Sequence, residues 1–157
     1  MRAVRCAEAG PVRCMRIASA TTSLPPYRTE MGYAGHMRFE PGDLALLAQT
    51  EEVEIETARP DGPPHRTIVW VVVDGDDAFV RSVNGATARW YREVVANPAV
   101  TIRAAGRQLH ARAVAATDPD SVRRTSDALA RKYGGDPAVR PMLKPDVLDT
   151  TLKLTPA

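Results

Sequence analysis

The sequence predicts a mainly β protein with α additions, an antiparallel barrel of short strands with helices set between strand pairs and at the ends. Three stretches lead there. Residues 52–57, "EVEIET", alternate strictly, with Val53, Ile55 and Thr57 on one face and three glutamates on the other. "TIVWVVVDGDDAFVRSV" is two runs of β-branched and aromatic residues around an Asp-Gly turn at Asp74 and Gly75. "DPDSVRRTSDALARKYGG" has a capping start, apolar residues at helical spacing and a Gly stop. Strand pairs on tight turns with interposed helices build a barrel rather than a parallel sheet.

Taken in order, residues 1–36 lack either periodicity and end among Pro25, Pro26, Gly32 and Gly35, which discourage regular structure. They are expected to form a flexible arm or upstream extension, the sharper alternative being an arm that folds over a partner subunit; residues 37–157 form the domain. In "EPGDLALLAQTEE" Pro41 lies near a helix start, Asp43 is a candidate cap, and Leu44 and Leu47 share a face. The run 68–73 reads as one strand buried on both sides, covered outside by a helix or a second subunit, and so points to a dimer.

Thr87 is a candidate cap for a helix through Trp90, Tyr91, Val94 and Val95. Asn97-Pro98 ends it, because the residue before proline is pushed out of the helical region. Residues 100–104 and "RQLHARAVAAT" pair across Gly106, the late helix sets Val122, Leu129 and Tyr133 on one face before Gly134, and "DTTLKLTP" closes the chain with Leu152 and Leu154 inward.

The bulk numbers bound the function. The chain's 157 residues suit one domain with a real core. Lys and Arg total 21 against 19 for Asp and Glu, a near balance that gives no reason to expect nucleic acid or an anionic membrane as partner. A basic patch of Arg123, Arg124, Arg131 and Lys132 is interrupted by Asp118, Asp120 and Asp127. Cys6 and Cys14, both in the arm, leave nothing in the body for a disulfide or thiolate zinc site. Charges interrupt every candidate signal-peptide core, no stretch reaches the roughly 20 apolar residues of a membrane span, and a cytoplasmic setting is the expectation.

No metal site is expected, since His36, His65 and His110 are scattered. A nucleophile elbow, a phosphate-binding Gly-Lys-Ser/Thr loop and a Gly-x-Gly-x-x-Gly turn are all missing. Asp74, Asp76 and Asp77 read as a solvated hairpin tip, Trp70 as core or interface, and Lys132 and Tyr133 as a helix end whose cation suits the dipole. What remains is a gathering of Arg59, Arg66, Arg81, Ser82, Asn84, Gly85, Arg89 and Arg92 at strand ends and loops. Guanidinium groups, a hydroxyl and the amides of an Asn-Gly loop are what a phosphate requires, and Trp90 could stack on a planar ring or pack in the core.

The stretch from "TARPDGPPHRTIVWVVVDGDDAFVRSV" through "NGATARWYREVVANPAVTIRAAGRQLHARAV" resembles the FMN-binding split-barrel superfamily, which includes pyridoxamine-phosphate-oxidase-like proteins and deazaflavin-dependent nitroreductases. With its "ARKYGG" helix and terminal "TTLKL", the body is most similar to the uncharacterised DUF2255 family, over about three quarters of the chain. The resemblance implies a homodimeric split β-barrel holding FMN or the deazaflavin coenzyme F420 at the subunit interface. Arg59, Arg66, Arg81, Ser82, Asn84, Gly85 and Trp90 are then the cofactor-binding candidates, with no catalytic residue assigned.

In the deazaflavin relatives the loop matching "TARPDGPPHRT" carries Lys and Ser where this chain has Pro60 and Asp61. A carboxylate there repels phosphate, so Asp61 points away, or the ligand lies elsewhere, or the site is empty. The expected function is accordingly a flavin- or deazaflavin-dependent oxidoreductase passing hydride to a small-molecule acceptor, the alternative being a non-catalytic dimer that binds or stores a flavin or another small anion.

Overall fold

A computed structural model describes residues 38–157. The expected arm, with both cysteines and His36, lies outside the described residues. In chain order the elements are α1 (Pro41–Gln49), β1 (Val53–Thr57), β2 (His65–Val69), β3 (Val71–Asp74), β4 (Asp77–Arg81), α2 (Arg89–Ala96), β5 (Ala99–Ala104), β6 (Arg107–Ala115), α3 (Pro119–Tyr133), α4 (Val139–Met142) and β7 (Thr151–Pro156), with 3-10 turns at Gly85–Thr87 and Pro145–Thr150.

All seven strands join one antiparallel sheet in the order β2-β1-β5-β6-β7-β4-β3. Its two edge strands follow one another in the chain with only Trp70 between them, so the sheet curls until its edges meet at that residue. A flat sheet could not place consecutive strands on opposite edges. The sequence expectation of one strand over 68–73 is therefore corrected: the ladder changes partner at Trp70, from β1 to β4.

Alternation fills the barrel. Val53, Ile55 and Thr57 of β1 are buried, as are Val100, Ile102 and Ala104 of β5 and Leu152 and Leu154 of β7. Within the run 68–73, the both-sided burial is complete only at Val71 and Val72, each 0% exposed, while Ile68 is 63% exposed. Val71 joins the barrel interior and Val72 packs with Phe79 under Ala128, Leu129 and Tyr133 of α3. The outer cover is thus a helix of the same chain, and the double burial needs no second subunit.

Several local expectations shift. The residue preceding α1 is Glu40, with no side-chain cap, and Asp43 sits inside the first turn, where its carboxylate meets Arg107 at 2.8 Å. The β3–β4 turn is Gly75-Asp76, closed by the Asp74–Asp77 pair, with Gly75 at φ 61°. Ala88 rather than Thr87 precedes α2; the Thr87 hydroxyl instead donates to the Asn84 carbonyl at 2.8 Å. Asp118 does cap α3, accepting from the Ser121 amide at 2.9 Å, whereas Gly134 stays right-handed at φ −60°.

The aspartates at the hairpin tip are engaged rather than merely solvated. Asp74 accepts from Arg124 at 2.6 Å and Arg131 at 3.1 Å, and Asp77 from Lys153 at 2.7 Å and Arg124 at 3.0 Å. Arg123 meets Asp120, so three of the four cations of the expected basic patch are paired. The fourth, Lys132, serves not the dipole of its own helix but the end of α1 and the start of β3: its ammonium donates to Leu47 O, Thr50 O and Val71 O at 2.7–3.0 Å. Among the described residues no helix is long and apolar enough to cross a membrane.

Candidate functional site

Where the two sheet edges meet, the barrel wall opens into a cleft of about 200 Å³. Its walls are Ile68, Val69 and Trp70 from the β2–β3 junction, Val83 beyond β4, Trp90 from α2, and Ala138 and Met142 from α4, with Glu52 at the lip and Arg81 in the wall. The cleft is apolar with two indoles, and Ile68 and Val83 on its rim are 63% and 45% exposed.

Arg81 is the unusual member. It is 2% exposed, yet no carboxylate meets it among the described residues; its guanidinium donates to the Thr151 hydroxyl at 2.8 Å, to the Ser126 hydroxyl, and to the carbonyls of Met142 and Val122 at 3.0 Å. Four neutral acceptors satisfy most of its five donors and leave its charge uncompensated. Burial brings its pKa down to about 10, so it stays cationic at neutral pH. The neighbouring Ser82 is 1% exposed, and its Oγ is the buried side-chain polar atom with no partner among the described residues.

The other candidates are placed as follows. Trp90 is 7% exposed, lies in the cleft wall and meets Tyr91 edge-on. Asn84 and Gly85 form the 3-10 turn after Ser82, with Gly85 at φ 60° and its amide on Ser82 O at 3.1 Å. A left-handed turn of that kind favours glycine. Arg66 is not free: its Nε bonds Glu56 at 3.0 Å, and Arg103 shares the same oxygen. The exposed Arg59 folds over its own loop, within 3.5 Å of where a Cβ on Gly62 would stand. The fold therefore brings Arg81 and Trp90 together in the cleft, sets Ser82 and its turn behind it, and leaves Arg59 and Arg66 at the β1–β2 end.

One cluster escaped sequence reasoning. Glu93 of α2 accepts from the Thr57 hydroxyl at 2.6 Å on one oxygen and meets His65 Nδ1 at 2.5 Å on the other, with Arg89 Nε at 3.8 Å. Burial opposes its ionisation, but the bonds from Thr57 and His65 outweigh this and hold its pKa below the usual carboxylate value. Thr57 and His65 are cross-strand partners at the base of the 58–64 loop. The only signal available was Thr57, a hydroxyl on an otherwise apolar strand face. No group of three or more His, Cys, Asp or Glu is arranged to hold a metal among the described residues.

A family model described as "Uncharacterized protein conserved in bacteria (DUF2255)" matches residues 43–154. No curated protein matches the sequence. Among solved structures the chain is similar to a pyridoxamine 5'-phosphate oxidase candidate from Listeria innocua, at 19% identity and TM-score 0.55 over 73% of this chain and 90% of that one. It is also similar to the heme storage protein from Vibrio cholerae, at 20% identity and TM-score 0.53 over 77% and 92%. A NimC/NimA family protein from Clostridium acetobutylicum is similar at 12% identity and TM-score 0.55 over 80% and 88%. At these identities the likeness is one of fold, the split β-barrel.

Proposed function

We propose that this chain, which belongs to the DUF2255 family of uncharacterized proteins conserved in bacteria, is an oxidoreductase that uses FMN or the deazaflavin coenzyme F420 to reduce a small-molecule acceptor. One observation carries the reading: a buried arginine without a counter-ion among the described residues stands in the wall of an apolar, indole-lined cleft. Burying a cation is costly unless something electron-rich shares its surroundings. An isoalloxazine or deazaflavin ring fits that need, because its pyrimidine edge carries carbonyls and gathers negative charge when reduced.

This chain's residues would divide the work. Trp90, Trp70, Ile68 and Val83 exclude water and clamp a planar ring; Arg81 supplies fixed positive charge without reorganising; the orphaned Ser82 Oγ offers a hydrogen bond behind the wall. When bound, the coenzyme supplies the hydride chemistry, so the protein needs no nucleophile. The exposed Ile68 and Val83 suit coverage by a second copy, making the working unit a homodimer with a cleft completed across the interface.

A second reading, a non-catalytic dimer that stores a flavin or another small anion, is favoured by Asp61, which puts a carboxylate into the loop expected to meet phosphate. Thermal-shift titration of the full chain with FMN, FAD, heme and coenzyme F420 tests both. A ligand at 100 times its Kd adds about 2.7 kcal/mol of stability, so binding reads as a saturable rise in Tm. A rise with FMN or F420 followed by acceptor turnover supports the enzyme, and a rise without turnover supports storage. No rise with any of the four, even in Asp61→Ser, removes both.

A further inference from the structure

In the 58–64 loop Pro60 and Asp61 stand where Lys and Ser are expected, Arg59 remains, and Arg66 is tied to Glu56. What the fold sets at the loop's base instead is an imidazole. His65 Nδ1 is held by Glu93 Oε1 at 2.5 Å, Glu93 Oε2 is fixed by Thr57 at 2.6 Å, and the His65 side chain remains 25% exposed. Three elements, β1, β2 and α2, thus orient one ring whose Nε2 has no partner among the described residues. A carboxylate bonded to one imidazole nitrogen fixes the ring and commits the other to whatever arrives from solvent.

We propose that His65 Nε2 is an anion contact of this chain, taking the phosphate of the coenzyme, and that Glu93 is its positioning residue. The inference rests on the coenzyme reading given above and names the residue that serves its anionic end. Charge agrees with it. Arg89 lies 3.8 Å from Glu93 on the side of His65, and Arg59, exposed and without a carboxylate partner among the described residues, leaves β1 two residues past Thr57, the strand partner of His65. The opposing charges are Glu93 itself, already shared by His65 and Arg89, and the exposed Asp61.

The contact needs one proton between the ring nitrogen and a phosphate oxygen, which either partner can carry. The clasp further connects the two ends of the site. Glu93 follows Trp90 by less than one turn of α2, so the residue that orients the anion contact also anchors the helix carrying the ring wall.

The test compares FMN with riboflavin, which share a ring and differ by the phosphate, by calorimetric titration of the full-length wild type, His65→Gln and Glu93→Gln. In the wild type FMN binds more tightly; the variants are expected to lose about tenfold or more of FMN affinity while riboflavin affinity stays level. Undiminished FMN binding in His65→Gln, or equal loss for both flavins as a purely structural clasp would give, overturns the inference. If the wild type binds neither flavin, FMN is ruled out as the coenzyme whether or not the anion contact exists. Inorganic pyrophosphate titrated onto protein with 15N-labelled histidine then decides: a saturable shift of the His65 ring signals, assigned with His65→Gln, sustains the anion contact, and no shift ends it.

Discussion

Trp70 and Tyr133 stack face to face, with ring centroids 4.1 Å apart and planes 8° from parallel. Trp70 is where the ladder passes from one sheet edge to the other, and Tyr133 ends α3, so the stack seals the seam of the barrel. The Tyr133 hydroxyl donates to the carbonyls of Glu51 and Val71 beside it. Burial above all, with Glu51 next, raises the phenol's pKa and keeps that donor protonated. Trp70→Phe keeps a ring on Tyr133 and should cost no more than about 1 kcal/mol, whereas Trp70→Ala should cost about 2–4 kcal/mol. Urea unfolding at pH 7 measures both, and an alanine variant within about 0.5 kcal/mol of wild type would show that the seam does not depend on the stack.

Arg81 joins β4 to α3, α4 and β7 through its four hydrogen bonds. Replacing it by Met fills similar space but leaves the Met142 carbonyl without its donor and takes one of two side-chain donors from the Val122 carbonyl, which keeps the Ser126 hydroxyl at 2.9 Å. The expected loss is about 2–4 kcal/mol in chemical denaturation, with Arg81→Lys recovering part of it because fewer acceptors lie within reach. A methionine variant as stable as wild type would mean that water re-satisfies those carbonyls, and it would remove the argument that this charge is kept for a ligand.

The carboxylates at the β3–β4 turn set the response to acid. The Asp74 pKa is lowered chiefly by its bond from Arg124; for Asp77 burial pushes upward, but Lys153 and Arg124 together outweigh it. A native pKa below the unfolded value of about 3.8 means that the unfolded chain binds protons first. Their stabilisation is present in full above that value and is lost as pH falls through the lower native values. Asp77→Asn should therefore destabilise by about 1–3 kcal/mol at pH 7, with the gap to wild type closing as pH falls below the unfolded value and through the lower native one. Denaturation series at several pH values measure the gap, and an equal gap at every pH would exclude ionic pairing as its source.

Local periodicity carried most of the fold. β1, the β3–β4 and β5–β6 hairpins, β7 and α3 were legible because each declares itself within seventeen residues or fewer, through alternation, a turn dipeptide or a capped amphipathic run. The meeting of the sheet edges at Trp70 was not, since closure depends on which strands find one another across the chain. The site divided the same way. Arg81 and Trp90 were visible as residue types, but whether a guanidinium ends inside or outside is decided by α3 and α4 packing over it. The Thr57–Glu93–His65 cluster unites residues 36 positions apart at the extremes and has no spacing to betray it. Thr87 misled as a cap because the hydroxyl turned back to Asn84 and the chain entered α2 one residue later.

Ala105 gives a final test of how the turns set register. It forms with Gly106 the two-residue loop between β5 and β6, closed by the Ala104–Arg107 pair, and both loop residues are left-handed, at φ 46° and 79°. A two-residue hairpin needs this handedness to match the twist of its strands, and an alanine Cβ there costs about 1 kcal/mol that asparagine largely avoids. Gly106 already fills the second position without strain. Ala105→Asn should accordingly raise stability by about 0.5–1 kcal/mol without touching the cleft, read as a higher midpoint in urea at an unchanged slope. A lower midpoint would mean that the left-handed geometry of this loop is imposed by its neighbours rather than chosen by its own residues.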